Sequence, residues 1–335
     1  MAKQENRNVL SGLYHAEIPA FLRPFLETPE LRRLRDVGMN CGCEYTAFPR
    51  FQALPAYSRF SHSLGAALIV WHFTGDRTQT LSALFHDIAT PAFAHVVDFL
   101  RGDYLRQEAT EARTEDILRG SAEIGRLLAE QEIPLDAVTD YHRYPVADND
   151  APRLSSDRLE YTMGNALAYG FASLGELEIW YNDLRVAAAP DGQTELAFGD
   201  PSAALGFARA ALRCSRVYVS DEDRYAMQRL SEVLAEALRR GVLRENDLGG
   251  TEPAVIARLE ADGETRRAWR EFRALHRMRT DEAAPREKRR VIPAKKRWID
   301  PLVAGLGRVS ELDEDFRRDL ASFLAEPQDG WLCGE

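Results

Sequence analysis

The stretch from Arg59 to Asp98, RFSHSLGAALIVWHFTGDRTQTLSALFHDIATPAFAHVVD, constrains this chain more than any other. It carries four of the seven histidines, among them His62, His86 and His95, and sets an adjacent His86-Asp87 pair among apolar residues. Leu81, Leu84, Phe85 and Ile88 recur at helical spacing, which predicts a buried helix with the pair near its end. Thr90-Pro91 reads as the stop of that helix and the start of another, with Thr90 as N-cap and Pro91 at the first helical position. His62 is expected to open a helix of its own, with Leu64, Ala67, Leu68 and Trp71 on the apolar face. Neighbouring residues on a helix diverge by about 100°, yet at a helix end both can reach one ion. An imidazole beside a carboxylate, with a second imidazole from another helix, is a donor set suited to Mn, Fe, Ni or Zn.

A His-Asp dipeptide also arises by chance, so the whole phrase matters more than the pair. RFSHSLG, a helix, LFHDI, PAFAH and a later SSDRLEYTM together resemble the HD-domain phosphohydrolases, whose ligand pattern is His…His-Asp…Asp. The resemblance points to the dNTP triphosphohydrolase branch, which holds the bacterial dGTPases and the mammalian enzyme with SAM and HD domains. It runs over residues 12–175 with specific motifs and over 185–303 only loosely. What it implies is a mainly α, HD-domain helical fold, to which the residue pattern in the C-terminal part adds a small β-hairpin or strand element. It implies one divalent transition metal (Mn, Fe, Ni, Co or Zn, with Mg also admissible) on His62, His86, Asp87 and Asp157. Arg59 aligns with a phosphate-contacting arginine of that branch. Arg158 and Tyr161 fall where it has a phosphate-binding cation and a tyrosine near the substrate, and Asn40 aligns with a polar residue of the loop against the sugar. His95 matches the second histidine of the family's HD-x-G-H-G-P-F-x-H phrase and is expected to be the catalytic proton donor, with Asp98 as its acidic partner.

Two departures weigh against release of an intact triphosphate. Thr90 replaces the first histidine of that phrase, and Gln107-Glu108 stands where the family has a His-Glu pair. The expected reaction is hydrolysis of a nucleotide-like phosphate ester. A phosphomonoesterase acting on a nucleoside monophosphate is one alternative, and a nucleotide-binding regulatory module with weak catalysis is another. The di-iron oxygenase use of the fold needs further histidine ligands, and Gln107 stands where one would help.

With 335 residues the chain can hold one large core or two smaller ones. The expected division is a catalytic core over 1–184 and a C-terminal helical region with the hairpin over 185–335, packed on that core. A hydrophobic content of 45% beside 29% charged residues excludes a disordered chain. No run of about 18 apolar residues occurs, and MAKQENRNVL lacks a signal-peptide core, so no membrane association is expected. Cys41, Cys43, Cys214 and Cys333 show no disulfide framework and no CxxC zinc spacing, which fits a reducing cytoplasm. A net charge of -10 argues against a broad nucleic-acid surface. The expected partner is a small nucleotide-like molecule, and a homo-oligomer is compatible with the sequence.

Further elements follow in order. Thr28-Pro29 starts a helix, and the aromatic, turn-rich stretch 39–62 reads as strands or loops. The polar stretch with Glu108, Glu111, Glu115 and Asp116 reads as a solvated face. A helix at 122–131 precedes a break at Pro134, and another runs over 157–176 with Ser155 or Ser156 as cap. A hairpin turns at Pro190-Asp191-Gly192. Amphipathic helices cover 201–219 and 221–240, the second capped by Asp221, and two more start at Thr251 and Gly263. The basic run 285–303 is either a solvated edge or a strand carrying cations towards a polyphosphate or a subunit contact. The tail 311–325 is a final helix.

Overall fold

The computed structural model describes residues 7–105, 113–279 and 289–335, with side chains from residue 10 onward. Gln107, Glu108, Glu111 and the first four residues of the basic run lie outside the described residues.

The His62 helix, Arg59–Thr74, sits at the centre. Ser58 caps its start by accepting from Ser61 N, and Gly75 ends it at φ 62°, a left-handed conformation that glycine adopts without a Cβ clash. Its residues from Phe60 to Val70 are buried on nearly every side, apart from Ser61. Asp76 then caps the helix Arg77–Phe85 by accepting from Thr78 N and Gln79 N. That helix and Ser156–Ala168 pack on either side of the His62 helix. The larger hydrophobic cluster joins them through Leu68, Phe85, Leu159 and Met163 and continues to Phe198, Phe207 and Phe316, so it draws on both sides of position 184. A second cluster, with Phe93, Val97, Leu230, Trp269 and Phe272, is roofed by the helices Asp221–Arg239, Glu252–Ala261 and Gly263–Arg273.

The chain is mainly α. Its strands are short: β1 (Leu184–Ala188), β2 (Thr194–Phe198), β3 (Met278–Arg279), β4 (Arg290–Val291), β5 (Leu302–Val303), β6 (Gly307–Arg308) and β7 (Trp331–Gly334). The expected hairpin is β1–β2, antiparallel with Leu184 opposite Phe198, and β5 joins β2 in parallel to give the order β1-β2-β5-β6. A second sheet runs β3-β7-β4. Among the described residues no helix is long and apolar enough to cross a membrane.

Several boundaries differ from the sequence reading. Pro91 does not begin a helix. Turns occupy 92–95, Phe93 and Ala94 take φ 63° and 47°, and the helix is Val96–Leu100. The physical reason is that the Thr90 hydroxyl donates to Asp87 Oδ1 at 2.8 Å, so it is not spent on capping. The helix expected over 157–176 is two helices, Ser156–Ala168 and Leu174–Asp183. Gly170 at φ 66° lies between them, and a Ser173–Glu176 capping box starts the second. Ser155 caps the first, accepting from Arg158 N. Ser220, not Asp221, caps the helix after it, because its hydroxyl reaches Asp223 N. The aromatic segment before the His62 helix holds a 3-10 turn, Cys43–Tyr45, and a short helix, Pro49–Gln52, between turns, with one bridge between Gly38 and Ser58.

Candidate metal centre

Three separate pieces of chain bring four donors together. His62 is the fourth residue of its helix, His86-Asp87 immediately follows Phe85 at the end of the next, and Asp157 is the second residue of Ser156–Ala168. His62 Nε2 lies 3.0 Å from His86 Nε2 and 3.0 Å from Asp157 Oδ1. His86 Nε2 is 3.6 Å from Asp157 Oδ1 and 3.6 Å from Asp87 Oδ2, which is also 3.7 Å from His62 Nε2. Ligands held about 2.0–2.2 Å from a common ion stand roughly 3–3.5 Å apart in octahedral or tetrahedral arrangements. The donor set therefore fits a divalent metal. Asp157 Oδ1 stands 3.0 and 3.6 Å from the two imidazoles, and Asp87 Oδ2 stands 3.7 and 3.6 Å from them, so both carboxylates close on the histidine pair.

What lies behind the imidazoles fixes which nitrogen faces the centre. His86 Nδ1 donates to Ala83 O at 2.7 Å, and His62 Nδ1 lies 2.6 Å from Glu160 Oε2, so each Nε2 turns inward. Tyr57 OH donates to the same Glu160 oxygen. Two glycines make room for this pair between the packed helices. A Cβ at Gly65 would stand 2.6 Å from the Glu160 side chain, and one at Gly164 would stand 2.7 Å from Tyr57 OH. Glu160 and Tyr57 are absent from the sequence reading. Glu160 sits one helical turn beyond Asp157, a spacing shared by every residue on that face.

The charges here are strongly coupled. Burial disfavours a charged His62, but Asp157 and Glu160 outweigh it and push the imidazole up to about 10. His86 is raised in the same sense, against burial, by Asp87 and Asp157. Asp87 is held well below the usual carboxylate range, again against burial, by Arg59, whose Nη1 lies 2.9 Å from Asp87 Oδ2, and by the two imidazoles. His62 and His86 hold Asp157 low in the same way, overcoming its burial.

His95 stands apart from the four donors. Its Nδ1 faces Asp98 Oδ2 at 2.9 Å, and Asp98 is fully buried behind it. Arg297 Nη2 lies 3.2 Å from Nε2. Since an arginine only donates, the tautomer that fits has the proton on Nδ1 and the lone pair on Nε2. Burial lowers the His95 pKa, Arg297 and Arg59 add to that, and Asp98 only partly opposes them. Burial and the two arginines thus favour the neutral imidazole, whose free lone pair sits on Nε2.

One cavity of about 170 Å³ collects most of the expected residues: His62, His86, Asp87 and Asp157, with Arg59, His95, Asn40 and Tyr161. Arg158 is not brought there. Its guanidinium donates to Arg153 O at 2.9 Å and to Asn149 O, bracing the preceding loop. Two cations that the sequence reading did not single out, Lys295 and Arg297, line the cavity instead. Both come from the extended chain between β4 and β5, so the basic run does carry charge to the site.

No protein-family model matches the chain. It is similar to the metal-dependent phosphohydrolase cns2 of Cordyceps militaris, 24% identical over 286 residues, which covers 82% of this chain and 78% of that protein. It is also similar to the uncharacterized protein YdhJ of Bacillus subtilis, 23% identical over 269 residues, covering 77% and 75%. Among solved structures, a phosphohydrolase from Bacteroides thetaiotaomicron superposes with a TM-score of 0.67 at 15% identity, covering 95% of this chain and 96% of that one. A hypothetical protein from Aquifex aeolicus gives 0.61 at 18%, covering 95% and 92%. At these identities the solved structures establish a shared fold.

Proposed function

We propose that this chain is a metal-dependent phosphohydrolase of the HD type, acting on a nucleotide-like phosphate ester. One observation carries the reading: four candidate metal donors, three further cations and His95, backed by the buried Asp98, meet at a single cavity. The relative from Cordyceps militaris, named as a metal-dependent phosphohydrolase, supports it. A divalent metal on His62, His86, Asp87 and Asp157 would supply Lewis acidity towards a phosphate oxygen and lower the pKa of water.

The protein's own groups do the rest. Arg59, Lys295 and Arg297 set positive charge against the phosphoryl oxygens, where charge builds up in the transition state. His95 Nε2 takes a proton from the attacking water and can return it to the leaving oxygen, while Asp98 holds the ring through Nδ1. Tyr161 and Asn40 flank the ester. Thr90, where the triphosphohydrolase phrase has a histidine, is fully buried and bonded to Asp87, so it offers the phosphate chain no charge. That favours a substrate with a single phosphoryl group over release of a whole triphosphate.

The test is to strip the protein of metal, reload it with Mn, Co, Ni or Mg, and identify products from nucleoside mono-, di- and triphosphates. Inorganic phosphate from a monophosphate is the expected result. Intact tripolyphosphate from dGTP would instead support the triphosphohydrolase reaction, and no product at full metal occupancy would overturn the hydrolase reading.

A further inference from the structure

The cavity extends well beyond what a phosphoryl group needs. Asp157, Tyr161, Asn165 and Tyr169 follow one another at four-residue intervals along a single helix and its cap, and all four line it. At about 1.5 Å per residue, Tyr169 lies roughly 18 Å along the axis from Asp157. The organic part of an ester anchored at the metal end must lie along this wall.

The far end is built differently from the near end. Asn165 Nδ2 donates to Tyr218 OH at 2.8 Å, and Tyr169, Tyr218 and Met227 supply aromatic and apolar surface. One ionisable carboxyl faces them, Asp223, on the first turn of Asp221–Arg239. A carboxylate at this position commonly accepts the N-cap N–H. Here Ser220 N donates to Val217 O instead, and among the described residues the side-chain donor that reaches Asp223 Oδ1 is the Cys43 thiol at 3.7 Å, a weak one. The nearby arginines are engaged by its neighbours, Arg224 with Asp221 at 2.7 Å and Arg50 with Glu222 at 4.0 Å. Asp223 keeps partial exposure, on the cavity that it lines. A carboxyl enclosed without a cation is more stable protonated. Burial accordingly raises the Asp223 pKa to about 8.

We propose that Asp223 is a specificity-determining residue. As a neutral carboxyl it presents one donor and one acceptor side by side to the amidine-type edge of a heteroaromatic base, an amino group beside a ring nitrogen. Tyr169 and Tyr218 flank the ring. The inference rests on the phosphohydrolase reading for the metal end and adds to it the chemical class of the substrate's other end.

Nucleosides test it without any hydrolysis, on the protein as purified. Calorimetric titration should find that adenosine or cytidine binds about tenfold or more tighter than its analogue lacking the amino group, the scale of a hydrogen bond left unmade in an enclosed site. Asp223→Asn, whose amide offers the same donor and acceptor, should keep that preference. Asp223→Leu should abolish it, and both variants should bind inorganic phosphate as the parent does. Equal binding of nucleoside and analogue by the parent, no binding of either nucleoside, or a preference that survives Asp223→Leu would each overturn the proposal. So would loss of phosphate binding alongside it, or loss of the preference in Asp223→Asn. If the preference holds while no phosphate ester is turned over, only the hydrolase reading falls.

Discussion

His62 is engaged on both ring nitrogens, with Asp157 and His86 at Nε2 and Glu160 at Nδ1. Glu160→Ala should therefore weaken metal binding about 10–100-fold, the usual cost of removing the partner that orients a ligand. Competition against a chelator measures it, and an unchanged affinity would relieve Glu160 of that role. A second prediction concerns protons. The metal-free His62, pushed up to about 10, carries a proton that a metal must displace. The apparent metal affinity should thus rise about tenfold per pH unit from pH 7 towards 10, and calorimetry in buffers of different ionisation heat should count the proton released. At this scale the sequence was legible where chemistry and position coincide. The His86-Asp87 dipeptide, His62 and Asp157, singled out in the sequence, lie together at one cavity. Glu160 was not legible, because one turn beyond Asp157 its spacing is that of any core position. Arg158 has a suitable charge, but Asn149 O and Arg153 O already engage it.

At the scale of elements, caps were readable and tertiary demands were not. Ser155 and Thr251 cap the helices that follow them because the signal is local. Thr90-Pro91 carries the same local signal, yet the Thr90 hydroxyl is recruited by Asp87 from the preceding turn. The basic run showed its charge in sequence, but only the extended path between β4 and β5 determines that Lys295 and Arg297 reach the cavity. That path gives a third prediction. Arg297 helps to depress His95, whose neutral form is the competent one, so activity should fall as pH drops through a value below 6.5. Arg297→Met removes a positive charge beside Nε2, raises the His95 pKa and should move the acid limb of the kcat/KM profile to higher pH. It should also lower the plateau, since a cation facing the phosphate is lost. An acid limb that stays put would separate Arg297 from the His95 proton. His95→Ala should flatten that limb and cost about 10²–10⁴ in rate while metal content is retained.

For the whole molecule, the metal donors act as a tie between distant parts of the chain. His62, His86-Asp87 and Asp157 belong to three helices or helix ends around one hydrophobic cluster, and the cavity that they open onto is closed on its other side by Asp223 and Met227 from the region of the second cluster. An unfolded chain presents these donors far apart, so metal should bind the native state preferentially and stabilise it. At a free metal concentration about 1,000-fold above Kd the gain is about 4 kcal/mol. With an unfolding entropy of roughly 2.1 cal/mol/K per residue, a chain of 335 residues converts that into a rise of about 6 °C in Tm. Calorimetric melting with and without metal reads the shift directly. His86→Ala should nearly abolish it, because one of the two imidazoles facing the centre is gone. Arg158→Ala should leave it intact even if the base Tm drops, because that side chain braces a loop and touches none of the donors. A shift of the same size in the parent and in His86→Ala would place the stabilising ion elsewhere on the molecule and remove the four-donor site as its holder.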